Sequence, residues 1–260
     1  MSQTNHNTPA LKSHQVLGYG AGNFGFGGLS QILSSYFVFY ATAVVGLPGS
    51  LVGLIVGISV VWDAITDPVM GYISDFTANP RFGRRHLYLW IGTLTMPIIN
   101  LMLWNFDHSL PVWVLVTALG MTLLLLKTAM TIYGTPYSAL GAEIAQGHTQ
   151  RAKVQSIRMT FFMLGVFFAT AVSMLLFFKA TPTYPIGQLN PAGYRTMSVA
   201  TSAVLLFAGL ISIFSTSHLI PSLNKHIADN QEVGIKNFFV LLLRAFRHDN
   251  LRAVILGYLF

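Results

Sequence analysis

The chain has 260 residues, 53% of them hydrophobic and only 9% charged, with a mean hydropathy of +0.59. Soluble domains carry about 25% charged residues, so a soluble enzyme of this length is all but excluded: too few charges remain to coat its surface. An aromatic content of 13% argues equally against a disordered chain. The net charge is +7. In a water-soluble protein that would suggest nucleic acid. Here the bases sit in short loops between apolar runs, so anionic lipid and membrane topology explain them and no nucleic-acid partner is expected. There is no cysteine, which rules out disulfides and thiolate metal sites.

Residues 1–15 are polar and contain a proline, so they read as a tail, with no cleavable signal. The bundle proper is expected over 16–219. A helix needs about 20 apolar residues to cross the hydrocarbon core. The first such run covers 16–45. It opens with Gly20-Ala21-Gly22-Asn23-Phe24-Gly25, which fits G-x-G-x-x-G. No strand precedes it and no acid follows about 20 residues later, so it is not a dinucleotide site. Glycines in a membrane helix permit close helix approach. Asn23, Gly27, Ser30, Gln31 and Ser34 share one face of this run, which should look at other helices or line a substrate path.

The second run, 51–76, repeats small residues at Gly53 and Gly57, spaced for helix packing. Further on it carries Trp62-Asp63-Ala64-Ile65-Thr66-Asp67-Pro68. Asp63, Thr66 and Asp67 stand at i, i+3 and i+4 on one face. Carboxylates at membrane depth are costly and mark ion or proton paths. Pairing with a lysine or arginine is the structural alternative. The loop that follows contains Asp75, then Arg81-Phe82-Gly83-Arg84-Arg85-His86: an acid at a helix end beside a crowd of bases and a turn glycine.

The third run covers 87–106 and the fourth 112–145. Within the fourth, Lys127 is embedded among Leu123–Leu126 and Met130. It lies too far from an end to snorkel, so a partner among Asp63 and Asp67 is expected. The fifth run, 154–178, begins near Arg158, which either anchors lipid headgroups or faces a cavity. The sixth covers 197–219. Residues 220–252 read as a cytoplasmic loop in which 235–246 is amphipathic and basic, like a helix lying on the membrane surface. Residues 253–260 are apolar but too few to cross. They read as the start of a seventh span or, alternatively, a re-entrant stub. Eleven Lys and Arg residues fall in segments on one side of this scheme, and Lys179 and Arg195 on the other, which predicts a cytoplasmic N-terminus. The expected fold is all-α: six transmembrane helices and the beginning of a seventh, embedded in the lipid bilayer.

These residues resemble the major facilitator superfamily, through Asp75 with Arg81-Phe82-Gly83-Arg84-Arg85. More narrowly they resemble its glycoside–pentoside–hexuronide:cation symporters, through Val44-Val45-Gly46-Leu47, the Trp62–Pro68 segment, and Thr135-Pro136-Tyr137-Ser138-Ala139-Leu140-Gly141-Ala142-Glu143. The resemblance implies twelve helices in two halves, of which this chain supplies the first, with a C-terminal six-helix half as partner. It implies symport of a sugar derivative with Na+ or H+, without a cofactor and without enzymatic chemistry. Asp63, Thr66, Asp67 and Thr131 would be the cation-coupling residues, with a possible Na+ at Asp63 and Asp67. Lys127 stands where members commonly carry a small residue; one turn from Thr131, its ammonium could reach the cation site, which counts it among the cation-coupling residues as a charge that could partly replace sodium. Asn23, Gln31, Trp62, Tyr137 and Arg158 would face the substrate. Asp75, Arg81, Gly83, Arg84 and Arg85 would form a cytoplasmic gate. Gly27 and Gly134 stand where a galactoside carrier of the family has sugar-binding aspartates. Because transporters of the wider group carry lysolipids, an amphiphilic substrate is the alternative reading, and a non-transporting truncated half is another.

Overall fold

The computed structural model describes residues 12–224, apart from 78, 80, 107–108 and 146. The expected surface helix at 235–246, the segment 253–260 and most of the N-terminal tail lie outside the described residues. Six long helices account for nearly everything described, and no strand is present among the described residues. They are α1 (Ser13–Phe39), α2 (Gly49–Phe76), α3 (His86–Leu103), α4 (Val112–Glu143), α5 (Gly147–Val172) and α6 (Pro191–Thr216). A π-helical turn prolongs α1 over Tyr40–Val44, and another prolongs α5 over Ser173–Phe177. A short helix, α7 (Ile220–Asn224), follows α6.

The helices begin where local chemistry starts them. Prolines precede α2 and α4, and Pro191 opens α6 behind Asn190, whose side chain accepts the Ala192 N–H. α5 and α6 each start several residues ahead of the apolar runs that predicted them. Hydropathy marks the hydrocarbon thickness, whereas a helix continues into the polar margin as long as its hydrogen bonds close. α2 to α6 are long and apolar enough to cross a membrane. α1 has 27 residues, enough in length, but its glycines and polar residues are spread so that no membrane-length stretch of it is as apolar as those of the other five.

Packing explains that composition. α1 lies against α5 and α6, α6 continues to α3, α3 to α4, and α4 to α2. Where α1 meets α5, a Cβ on Gly27 would stand 2.5 Å from the Phe162 carbonyl oxygen, and one on Gly165 would collide with the backbone of Phe24. Gly20 faces Ile157 and Phe161, Gly22 faces Tyr133 and Ser212, and Gly25 faces Ala208 and Leu205. The G-x-G-x-x-G run is therefore a surface for close helix approach. The pair in α2 is different: nothing among the described residues lies within 4 Å of a Cβ on Gly53 or Gly57. Their expected packing role is not met inside this bundle, because α2 leans on α4 by another face.

Polar groups bind the remaining helices. Buried Asn100 of α3 donates to the Ser198 carbonyl and to Ser202 Oγ of α6, while accepting the Trp104 indole N–H at 3.1 Å. At that end Tyr40, Trp104, Phe178 and Tyr194 pack ring to ring. At the opposite end Gln15 hydrogen-bonds His218, and His86 hydrogen-bonds Thr216, joining the starts of α1 and α3 to the end of α6.

A Gly27→Leu substitution should force α1 off α5 at a cost of about 1–3 kcal/mol. The thermal unfolding midpoint in detergent should fall by several degrees. Gly57→Leu, placed into open space, should leave it nearly unchanged.

Candidate transport site

Between α1 and α5 on one side and α2 and α4 on the other lies a cavity of about 620 Å³. Each helix presents one stripe to it. α4 contributes Lys127, Met130, Thr131, Gly134, Thr135 and Ser138, spaced at the helical repeat. α2 contributes Asp63 and Asp67, one turn apart, and α1 contributes Asn23, Phe26 and Ser30. α5 closes the wall with Arg158, Met159 and Phe162.

Charge on the α2–α4 wall is paired side by side. Lys127 Nζ lies 2.7 Å from Asp63 Oδ2, and Thr131 Oγ1 donates to Asp67 Oδ1 at 2.7 Å. Both contacts span the same two helices with the same sequence separation, so a single register of α4 on α2 makes both. Trp62 donates its indole N–H to Thr128 Oγ1 at 2.9 Å, one further tie in that register. On the opposite wall Arg158 donates to Ser138 Oγ at 2.7 Å, while its backbone carbonyl accepts from Asn23. The Arg158 Nε is buried and has no hydrogen-bond partner among the described residues.

Several expected site residues stand elsewhere. Thr66 turns back to donate to the Trp62 carbonyl at 3.0 Å and is not part of the lining; in an apolar helix the i−4 carbonyl is the nearest acceptor for a threonine. Trp62 and Gln31 also lie outside the lining, with Gln31 spent on Ser35. Tyr137 touches the cavity but is only 1% exposed. Its hydroxyl donates to the Tyr19 carbonyl, the Tyr19 hydroxyl returns a bond to the Tyr137 carbonyl, and the rings stack at 4.4 Å. Its hydroxyl therefore joins α1 to α4. Of the two glycines at the aspartate positions, Gly27 is sealed against α5 and Gly134 faces the Phe26 ring. Phe26, Met130, Met159 and Phe162 were missed in the sequence, since apolar residues in an apolar helix carry no mark of which way they face.

A second cluster sits at the end where α2, α3 and α4 meet. Arg85, buried to 6% exposure, ion-pairs with Asp75 and with Glu143 at 2.8 Å, and donates to Ser74 Oγ at 2.5 Å. Arg84 reaches the same Glu143 oxygen at 2.6 Å. Glu143 was not singled out from the sequence, although an acid ending a span beside a basic loop was the available signal. Arg81 stays exposed over the Phe82 ring and takes no part. Gly83 adopts φ +69° in a turn held by Asn79, whose side chain accepts the Arg81 and Phe82 N–H groups.

Helices of this length and hydropathy, packed through glycines around a polar cavity, define a multi-pass α-helical integral membrane protein. Residues 18–260 match the family described as MFS/sugar transport protein, and the chain belongs to it. It is 28% identical over 82% of its length to an uncharacterised symporter of Synechocystis, and 30% identical over 80% to the inner membrane symporter YicJ of Escherichia coli. It is also 27% identical over 82% to the sodium-dependent lysophosphatidylcholine symporter 1 of Mus musculus. It spans 40%, 43% and 43% of the length of these relatives, respectively.

The two acids of the Arg85 cluster are not equivalent. Glu143 is 19% exposed and serves both arginines, whereas Asp75 is 51% exposed. Glu143→Gln should cost about 2–4 kcal/mol, because it leaves buried charge short of a partner. Asp75→Asn should cost about 0–1 kcal/mol. Thermal unfolding of the two variants in detergent checks the order.

Proposed function

We propose that this chain forms the N-terminal six-helix half of a secondary transporter that carries an acidic sugar derivative of the hexuronide type, with a cation, by alternating access. α1 serves as the sixth span alongside α2 to α6, since it is long enough to cross and packs closely on both α5 and α6. The observation that carries the reading is the cavity itself: charged and polar groups from four helices converge at mid-helix depth, where they are costly and mark a substrate or ion path by default. Its hydrogen-bonding groups suit sugar hydroxyls, and Phe26 offers an apolar ring face. Arg158 is the group that selects the acid. Its partners among the described residues, Ser138 and Tyr19, are neutral, so a substrate carboxylate would meet a guanidinium with no competing acid.

A second reading rests on the relatives. Several are lysophosphatidylcholine symporters, and the same arginine would suit a lipid phosphate. Uptake into proteoliposomes of the protein joined to its C-terminal half separates the two. Accumulation of a labelled hexuronide, with a neutral glycoside and lysophosphatidylcholine left outside, is expected; lysophosphatidylcholine uptake alone would reverse the assignment. Arg158→Ala should raise the half-saturation for the hexuronide about 10–100-fold, as befits a charged hydrogen bond.

Orientation follows from the bases. Among the described residues Lys12, Arg81, Arg84, Arg85, Arg151 and Lys153 lie at the end that holds the starts of α1, α3 and α5, and Lys179 and Arg195 lie at the other. The first end is assigned to the cytoplasm, which puts the N-terminus inside. There Asp75, Arg84 and Arg85 are suited to gating, with Gly83 turning the loop. Exposed Phe82 and Ile186 are suitable labelling sites in a chain without cysteine. An impermeant thiol reagent applied outside should modify Ile186→Cys and spare Phe82→Cys.

A further inference from the structure

A Na+ ion at Asp63 and Asp67, as the family resemblance implies, needs several free oxygens around it. Here one of those oxygens already carries a cation of the protein's own. Asp63 Oδ2 is held by the Lys127 ammonium at 2.7 Å. The Thr66 hydroxyl is turned to the Trp62 carbonyl and is not part of the lining, while Thr131 donates to Asp67 and keeps its oxygen lone pairs. A cation on Asp63 would also sit roughly 4 Å from the ammonium. At an effective dielectric of about 20, two unit charges at that distance repel enough to weaken binding about a thousandfold.

We propose that Lys127 is a built-in cation, occupying through Asp63 the position of the coupling ion, so that this protein does not bind Na+ at the α2–α4 wall and does not need a Na+ gradient. In a sodium-coupled carrier, an entering ion neutralises the carboxylates and so permits the wall to close around the substrate. Here the tethered ammonium neutralises Asp63 permanently. It is supplied by the fold, travels with α4, and cannot be released to either side. The Lys127 side chain is only 26% exposed and its partner 29%, so the pair is sheltered enough to persist against solvent competition.

The inference rests on the transporter reading, but its test does not require transport. The thermal midpoint of the detergent-solubilised protein is measured as Na+ replaces choline at constant ionic strength. The parent protein should show no Na+-specific shift. Lys127→Ala, and the longer neutral Lys127→Gln, should gain a saturable Na+-specific stabilisation of at least about 2 °C, as binding to the folded state alone requires. Lys127→Arg, which keeps the charge, should remain indifferent. A saturable Na+ shift in the parent overturns the proposal, and this measurement stands even where no neutral variant folds. A folded neutral variant that stays indifferent to Na+ overturns it as well. Failure of the parent to take up any solute, with these shifts as expected, would instead count against the transporter reading and leave the built-in cation standing.

Discussion

Hydrocarbon offers no hydrogen bonds, and that constraint organises the bundle. Every polar group carried into it needs a partner from another helix or from its own backbone. Asn100, Ser202 and Trp104 satisfy one another between α3 and α6. Tyr19 and Tyr137 exchange bonds with each other's carbonyls across α1 and α4. Each polar contact therefore also sets a register. Since hydrocarbon does not push apolar helices together, close approach through small residues provides the rest of the attraction. α1, whose glycines and polar residues interrupt its apolar stretch, is the one wrapped by two neighbours at glycine distance.

Two ion-pair systems show the constraint acting at different depths. At the helix ends, Arg85 gathers Asp75, Glu143 and Ser74, fastening α2, the following loop and α4 into one unit. Deeper, Lys127 and Asp63 form a single pair. A lone ammonium or carboxylate there would cost about 2.5–3.5 kcal/mol on insertion scales. Joining them removes most of that cost, which makes the deep pair an element of architecture as well as of the cavity wall.

The cavity inherits its selectivity from what is left over. Asp63 and Asp67 are engaged on the α2–α4 wall, and Gly27 and Gly134 supply no acceptors. What remains is an arginine bonded to a serine, hydroxyls and a ring face. On the function proposed above, this inventory would suit an anion better than a neutral galactoside. It arises because close packing of α1 on α5 requires a glycine at position 27, where a side chain would meet the backbone of α5.

The sequence by itself determined the helices and what they carry. Runs of apolar residues near membrane length, broken by proline, glycine and charge, locate all six long helices to within a few residues at most ends. Lone charges inside them, Asp63, Asp67 and Lys127, are conspicuous because composition makes them costly. Direction was not legible to the same degree. Asp63 and Thr66 share a helical face on paper, yet one reaches Lys127 and the other its own backbone. Gly53 and Gly25 sit in similar patterns, yet only Gly25 meets a neighbour. The helical face put Gln31 in the pocket and the family resemblance put Trp62 and Tyr137 there; packing turns Trp62 and Gln31 elsewhere and ties the Tyr137 hydroxyl to α1. Glu143 acquired its role only when the end of α4 came beside Arg84 and Arg85. A helix in a uniformly apolar medium has a weak amphipathic signal, so which face looks inward is decided by rotation and register against its neighbours, and that is a property of the assembled bundle.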